Sequence, residues 1–164
     1  MRELLAAGRR RVHHVLVSDA VDASKGPIAE IVDLARAKGV PVQLVPRARL
    51  QSVAATDSPQ GVVATADPIA ETTLEELVAG TGALPPFLVV LDGVTDPHNV
   101  GAVARSALCA GATGLVLRRH RSAHVTPAVA KAAAGAIEHL RVAVVGGIPA
   151  ALIELSRAGV WTVG

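Results

Sequence analysis

The sequence predicts an α/β protein with two parts, a small N-terminal α/β unit and a C-terminal unit built on a parallel sheet. Short apolar runs alternate with segments of helical periodicity, most cleanly in the second half of the chain. Apolar strands separated by helices are typical of a parallel sheet covered on both faces. The composition, 51% hydrophobic and 18% charged, favours a folded chain over a disordered one.

Residues 1–80 are expected to form the first unit. Its expected strands are 12–17, 40–45 and 61–66, and its expected helices are 27–38 and 72–79. The longer helix presents an apolar inward face consisting of Ile28, Ile31, Val32 and Leu34. This alternation predicts a three-layer unit. Residues 81–86 are expected to be a linker, because glycines and consecutive prolines disfavour both helix and strand.

Residues 87–164 are expected to form the second unit. The expected strands are 87–91, 114–118, 141–145 and 160–163, and the expected helices are 99–110, 126–138 and 149–158. Each helix connects two apolar strands, so the unit should contain a doubly covered parallel sheet.

The segment from Phe87 to Gly111 contains the strongest functional pattern. An apolar strand is followed by a turn with glycine and proline, and then by a helix of small residues that Gly111 is suited to end. Asn99, the only asparagine in the chain, falls where an N-cap is expected. Arg105 lies four residues after Gly101, so its side chain is expected to lean back over the gap that this glycine leaves.

This arrangement has a functional and a structural interpretation. A helix N-terminus, an amide side chain and a guanidinium would concentrate positive potential at one point, and a phosphate is the natural ligand there. Alternatively, Arg105 could pair with Asp92 or Asp96 to hold the turn, with Asn99 as an ordinary cap. The two aspartates could also act as a carboxylate pair in general acid–base catalysis.

The strand, turn and helix resemble motif 1 of the SpoU/TrmH family of RNA ribose 2′-O-methyltransferases, where N-x-G-x-x-x-R begins the helix. The residues that follow also resemble this family, especially the branch acting on 23S ribosomal RNA guanosine. The resemblance implies an L30e-like RNA-binding domain followed by an α/β-knot (SPOUT) methyltransferase domain. It also implies S-adenosylmethionine as methyl donor and a homodimer. Carried over by position, Asn99 and Arg105 would be the catalytic residues, with Arg105 activating the ribose hydroxyl.

Two further motifs of the family are not expected in these 164 residues. They are a Gly-x-Glu-Gly loop and a Ser-Leu-Asn segment, which together build the donor pocket and follow a strand resembling 160–163. The single asparagine at position 99 means that the last motif cannot be present. The chain is therefore expected to be a partial member whose donor-binding residues lie C-terminal to Gly164.

Positive charge is clustered, although the net charge is only +2. The residues expected to contact RNA are Arg9, Arg10 and Arg11 in one cluster and Arg118, Arg119 and Arg121 in another. Charged runs are ordinarily solvated surface, so the motif rather than the charge favours RNA binding. Because Phe87 and Trp161 are the only aromatic residues, phosphate and shape contacts are expected instead of base stacking.

Other kinds of site are disfavoured by the composition. The single cysteine, Cys109, excludes an internal disulfide and a cysteine-based zinc site, and it is expected to lie in the core. The histidines lack partners at ligand spacing, so no metal is expected. No apolar run approaches membrane-spanning length and no signal-peptide pattern begins the chain, so a cytoplasmic protein is expected.

Alternative functions remain open at this point. A Rossmann dinucleotide domain has the same alternation of elements, but it requires G-x-G-x-x-G after the first strand, and this chain has D-G-V-T-D-P-H-N-V-G. A non-catalytic RNA-binding module is favoured by the missing donor motifs. Transfer RNA is the alternative methylation substrate to ribosomal RNA.

Overall fold

The computed structural model describes residues 1–55, 59–80, 85–120, 122 and 125–164. The chain forms two compact units, Met1–Ile69 and Ala70–Gly164. Each unit has its own sheet with helices packed on it, which confirms the predicted α/β class. Within the described ranges, no helix is both long and apolar enough to cross a membrane.

The first unit has three layers. Its elements are α1 (Arg2–Ala7), β1 (Val12–Ser18), α2 (Gly26–Ala37), β2 (Val42–Val45), α3 (Arg47–Val53) and β3 (Val62–Ala66). The sheet order is β2–β1–β3, with β1 parallel to β2 and antiparallel to β3. Val15 and Val17 pack in a cluster with residues of α1 and α2, whereas Leu16 packs with Leu50 of α3. Helices therefore cover both faces of β1, but the second covering helix is α3, which the sequence did not predict, and not the helix expected over 72–79.

The second unit contains a parallel sheet of order β4–β7–β6–β5. Its elements are β4 (Glu71–Thr72), α4 (Leu74–Ala79), β5 (Leu88–Leu91), α5 (Pro97–Cys109), β6 (Gly114–Arg118), α6 (Pro127–Ala132), a 3₁₀ turn (Ala136–Glu138), β7 (Arg141–Val145) and α7 (Ile148–Arg157). Val116 of β6 packs with residues of α4 and α7. Leu115 and Leu117 face the opposite side by alternation, and both are fully buried.

The boundary between the units differs from the expected one. Residues 70–80 belong to the second unit, because β4 pairs with β7 and the apolar face of α4 packs on the second sheet. Leu74 and Leu77 lie in one buried cluster with Val116 and Ala143. The sequence could not show which sheet this short helix would cover. Of the expected linker, residues 81–84 lie outside the described part of the chain.

Three other expectations are wrong. The helix expected over 126–138 breaks after α6, because Ala134 and Gly135 adopt left-handed conformations with φ of 49° and 90°. The strand expected over 160–163 does not form, and Trp161 and Val163 are 94% and 98% exposed. An apolar segment becomes a strand only where a neighbouring strand supplies hydrogen bonds. Cys109, expected in the core, is exposed at the end of α5.

Helices α5 and α6 approach each other at Gly101. A Cβ atom at this position would lie 2.5 Å from the Cβ of Ala132 and 2.7 Å from the backbone nitrogen of Ala133. The gap left by the glycine is therefore filled by the backbone of α6, and not by Arg105 as expected from the spacing. Glycine is required here because two helix backbones occupy the space that a side chain would need.

A capping box begins α4. The Thr73 hydroxyl accepts a hydrogen bond from the Glu76 amide at 3.1 Å, and the Glu76 carboxylate accepts one from the Thr73 amide at 3.0 Å. The same carboxylate also accepts a hydrogen bond from the Thr72 hydroxyl. These bonds, the one from Thr72 first, hold the pKa of Glu76 below its ordinary value of 4.5.

Replacing Gly101 with alanine should lower the free energy of unfolding. Overpacking costs about 1–3 kcal/mol, whereas removing a helical glycine gains about 1 kcal/mol at most. Backbone atoms of α6 cannot move aside as a flexible side chain could, so the cost should exceed the gain. Urea denaturation measures the difference. Gly146→Ala is the control, because a Cβ atom there would have no neighbouring atom within 4 Å; equal stability of both variants would contradict the close approach.

Glu76→Gln should destabilise the second unit at pH 7 but not in acid. Because folding lowers the pKa of Glu76, its contribution is present above the unfolded value of 4.5 and is lost as the pH falls through the folded value. The difference in thermal midpoint between wild type and variant should therefore shrink to zero in acid. Glu154→Gln on the exposed surface of α7 is the control. A difference for Glu76→Gln that is constant from about pH 7 to about pH 3 would contradict this role of the carboxylate.

Candidate functional site

The candidate site lies where β5 ends and α5 begins. Parallel strands place the residues that follow them at one edge of the sheet, and ligands bind at such edges in open α/β sheets. Asp92 follows β5, and Arg118 ends the neighbouring strand β6. The pairing therefore brings a carboxylate and a guanidinium together beside the start of α5.

Asp92 pairs with Arg118 and not with Arg105. Arg118 Nη1 lies 3.5 Å from Asp92 Oδ1, and the two side chains are 35% and 57% exposed. The Nε atom of the same guanidinium is buried and has no hydrogen-bond partner among the described residues. The ion pair is therefore long, and it leaves one hydrogen-bond donor of the Arg118 guanidinium without a partner among the described residues.

Asp96, and not Asn99, is the N-cap of α5. Its carboxylate accepts a hydrogen bond from the His98 amide at 2.9 Å, and Pro97 is the first helical residue. Aspartate followed by proline is a favourable helix start, because the carboxylate satisfies a free amide and the proline ring presets φ. Asn99 therefore lies within the first turn of α5, and its side chain is exposed. The expected capping role was wrong, although the Asp-Pro signal was present in the sequence.

Arg105 is exposed on α5, and its side chain forms no ion pair or hydrogen bond with any residue that the structure describes. Asp92 and Asp96 are engaged elsewhere, so the interpretation of Arg105 as a support for the turn is wrong. The guanidinium is available to an external ligand. Within the described part of the fold, no carboxylate forms an ion pair with the Arg105 guanidinium.

Asn99 and Arg105 do not converge on one point. Six positions on a regular helix separate two residues by about 9 Å along the axis and about 120° around it. Both side chains face solvent, whereas Gly101, Val100 and Ala104 are buried beneath them. A ligand touching both must therefore be extended, as a segment of nucleic-acid backbone is.

The turn before α5 is tied to the segment after β6 at a second point. Ser122 Oγ donates a hydrogen bond to the Val94 carbonyl at 3.1 Å. Together with the Asp92–Arg118 pair, this bond ties the first half of the turn to the residues at and after the end of β6. Ser122 was not predicted as part of the site, since a single serine in a basic run has no distinctive pattern.

The expected RNA contacts have different environments. Arg119 Nη2 lies 3.2 Å from Glu71 Oε2 and 3.3 Å from the Val144 carbonyl, so its charge is paired at the surface. Arg121 lies outside the described residues. In the first unit, Arg10 Nη1 donates to the Asp67 carbonyl at 2.9 Å, and Arg9 and Arg11 are exposed.

Two histidines of the first unit have separate partners. His13 Nε2 lies 2.7 Å from Asp67 Oδ1, and His14 Nε2 lies 3.1 Å from Thr65 Oγ1. Across the described ranges, no three histidine, cysteine or acidic side chains are grouped so that they could hold a metal ion.

Known proteins resemble this chain in both halves. The sequence profile of the SpoU rRNA methylase family matches residues 86–164. The profile for RNA 2′-O ribose methyltransferase substrate binding matches residues 1–72.

Curated relatives cover the whole chain. A Bacillus subtilis protein assigned to the TrmH family of tRNA/rRNA methyltransferases is 36% identical over 96% of this chain and 67% of its own length. A 23S rRNA (guanosine-2′-O-)-methyltransferase of Pseudomonas putida is 36% identical over 100% of this chain and 66% of its own. The chain thus spans about two thirds of the length of these relatives.

Solved structures share the fold. The AdoMet-bound rRNA methyltransferase of Sinorhizobium meliloti superposes with a TM-score of 0.68 at 19% identity, over 97% of this chain and 55% of that one. The SpoU methyltransferase of Streptomyces viridochromogenes in complex with AdoMet gives 0.70 at 21% identity, over 95% and 56%. At such identities the likeness concerns the fold alone. Together with the profile matches and the curated relatives, it shows that the chain belongs to the SpoU rRNA methylase family.

Proposed function

We propose that this protein, in its complete form, transfers a methyl group from S-adenosylmethionine to a ribose 2′-hydroxyl of structured RNA. A guanosine of 23S ribosomal RNA is the first candidate, because several relatives bear that name. The observation that supports the proposal most directly is the exposed Arg105, without a side-chain partner among the described residues, on a helix that begins at the carboxyl end of β5. Transfer RNA is the alternative substrate.

Arg105 is proposed to act electrostatically. A free arginine has a pKa above about 12 and is therefore a poor general base. Beside an RNA phosphate, its guanidinium would polarise the ribose hydroxyl and stabilise the charge that develops on the oxygen. Asn99, one turn and a half before it on the same helix, is proposed to position the RNA backbone so that the hydroxyl is aligned for attack.

The two family motifs expected to build the donor pocket, Gly-x-Glu-Gly and Ser-Leu-Asn, do not occur in these 164 residues. Among the described residues, the buried side-chain nitrogen without a hydrogen-bond partner is Arg118 Nε. Its positive charge would repel the positively charged sulfonium of the donor. Gly146 and Gly147 leave open space after β7, since a Cβ atom at either position would have no neighbouring atom within 4 Å. We therefore propose that residues outside these 164 supply the donor pocket.

The RNA is proposed to contact both units. The proposed residues are Arg9, Arg10 and Arg11 in the first unit and Arg118, Arg119 and Arg121 in the second. The pairs that Arg118 and Arg119 form with carboxylates are partly exposed, and such pairs contribute only about 0–1 kcal/mol, so a phosphate could replace the carboxylate. A homodimer and a cytoplasmic location are proposed by likeness to the family.

A second function is proposed for the chain taken alone. The 164 residues would bind RNA without catalysing methyl transfer, since the two motifs expected to build the donor pocket are not among them. Testing the chain and the complete protein separately distinguishes this function from the first.

In the complete protein, Arg105→Ala should lower the rate of methyl transfer by about 10²–10³-fold, the usual effect of losing one electrostatic stabiliser. Labelled S-adenosylmethionine and ribosomal RNA provide the assay, with nuclease mapping to locate the label on the ribose. Donor affinity should be nearly unchanged. Arg105→Lys should also fail, because a point charge cannot reproduce the planar guanidinium.

Arg157→Ala, at an exposed position near the end of α7, is the matched control and should keep normal turnover. Near-normal turnover of Arg105→Ala would show that this arginine is not catalytic. Label on a base, or on no RNA tried, would refute the proposed reaction itself.

The 164-residue chain alone should bind no S-adenosylmethionine. Isothermal titration calorimetry of the purified chain should give only heats of dilution, while the complete protein should give a saturable curve under the same conditions. Saturable micromolar binding to the chain would show that these residues contain the donor site after all.

A further inference from the structure

The turn between β5 and α5 has little apolar packing of its own. Of its residues 92–96, Val94 is partly buried and the others are exposed. Gly93 adopts a φ of +69°, and a Cβ atom there would have no neighbouring atom within 4 Å. A segment with few buried apolar contacts opens at low cost unless polar contacts hold it. The position of this turn therefore depends on its hydrogen bonds and ion pairs.

Two polar contacts tie this turn to the residues at and after the end of β6. Arg118 Nη1 lies 3.5 Å from Asp92 Oδ1, and both side chains of this long ion pair are partly exposed, so solvent weakens it. Ser122 Oγ donates a hydrogen bond to the Val94 carbonyl at 3.1 Å, and this bond is partly buried. Because the Ser122 bond is better shielded and acts directly on the main chain, it is the stronger constraint on the turn.

The turn leads directly into the part of α5 that carries Asn99. Asp96 is the N-cap, and Asn99 precedes Val100, the first fully buried residue of the helix. Arg105 lies further along, directly after the fully buried Ala104, so packing anchors that part of the helix. A shift of the turn should therefore displace the Asn99 side chain and leave Arg105 in place.

Ser122 also has a purely structural explanation. A hydrogen bond to a loop carbonyl contributes to stability wherever it occurs. That explanation predicts a lower thermal midpoint when the hydroxyl is removed, but an unchanged rate for each folded molecule. Alignment of reacting groups is far more sensitive than stability to a small shift. A role in alignment therefore predicts a lower rate even where the protein remains fully folded.

We propose that Ser122 is a positioning residue for methyl transfer. By holding the Val94 carbonyl, it fixes the turn before α5 and thereby the place of Asn99 against the RNA backbone. Asp92, held by Arg118, is the second and weaker tie. The proposal rests on the proposed function, in which Asn99 aligns the ribose hydroxyl. Ser122 acts through the turn and not by contact with the RNA.

The test measures single-turnover methyl transfer by the complete protein, with labelled S-adenosylmethionine and a structured transcript from 23S ribosomal RNA. Ser122→Ala should lower the rate at saturating RNA by about 10-fold, since a misplacement of about 1 Å can cost about 10²-fold. The dissociation constant for the RNA should be nearly unchanged, because Ser122 does not touch it. Ser122→Thr keeps the hydroxyl and should restore the rate.

Double variants distinguish positioning from a general effect on the fold. If Ser122 acts through Asn99, adding Ser122→Ala to Asn99→Ala should lower the rate no further. Added to Arg105→Ala, the same change should still lower the rate by about 10-fold, because packing places Arg105 independently of the turn. Asp92→Ala should lower the rate without weakening RNA binding, since it frees the Arg118 guanidinium for a phosphate.

Ser156→Ala, at an exposed position near the end of α7, is the matched control and should keep the wild-type rate. Hydrogen–deuterium exchange of the complete protein is a second measurement. The backbone amides of residues 92–99 should exchange faster in Ser122→Ala than in Ser156→Ala or the wild type. Thermal midpoints reveal any loss of folding, and Asp92→Ala decides the question if Ser122→Ala is unstable.

The outcomes separate the positioning role from the proposed function. If Arg105→Ala lowers the rate and Ser122→Ala does not, the positioning role is wrong and the proposed function stands. An equal loss from Ser122→Ala with and without Asn99 would show that the serine does not act through this residue, and would overturn the proposal. If the wild-type protein transfers no label to any RNA, the proposed function fails and the positioning role fails with it.

Discussion

The parallel pairing of β5, β6 and β7 is the constraint on which the second unit depends. Leu115, Val116 and Leu117 of the central strand are at most 1% exposed, so both faces of β6 are covered. Fully burying side chains of this kind contributes about 1.5–3 kcal/mol each. Because the strands are parallel, the same pairing brings Asp92, Arg118 and the start of α5 to one edge. The same parallel strand pairing therefore forms both the core of the second unit and the candidate site.

The contact between α5 and α6 orients the site. Gly101 lets the backbones approach, and Val100 and Ala104 bury the rest of that helix face. Since one face of α5 is fixed by packing, the opposite face, with Asn99 and Arg105, must point to solvent. Small residues dominate α5 because a close helix pair leaves no space for larger ones.

The arginines of the two units have different kinds of partner. In the second unit Arg118 and Arg119 face carboxylates, so their charges are largely balanced before any ligand arrives. In the first unit, Arg10 Nη1 donates to the backbone carbonyl of Asp67, whose carboxylate lies 2.7 Å from His13 Nε2. Sequence proximity of arginines could not reveal this difference, because the partners Glu71 and Asp67 are distant in the chain.

The sequence alone determined the α/β class, most of the strands and longer helices, and the motif segment. Periodicity and turn residues are local properties, so β1, β6, α5 and α7 could be predicted within a few residues. The short elements α1, α3 and β4 were missed, since a few residues carry too little periodicity to be distinguished from loops.

Only the tertiary structure decided the unit boundary and the ion-pair partner of Asp92. Both depend on contacts between residues that are distant in the chain, as when α4 packs on the second sheet or Arg118 pairs with Asp92. The expected strand at 160–163 shows the same limit, because an apolar run needs a neighbouring strand with free hydrogen-bonding groups before it becomes one. The sequence shows which residue types are present and their local pattern. Long-range packing determines which residues become neighbours, and therefore what role each side chain has.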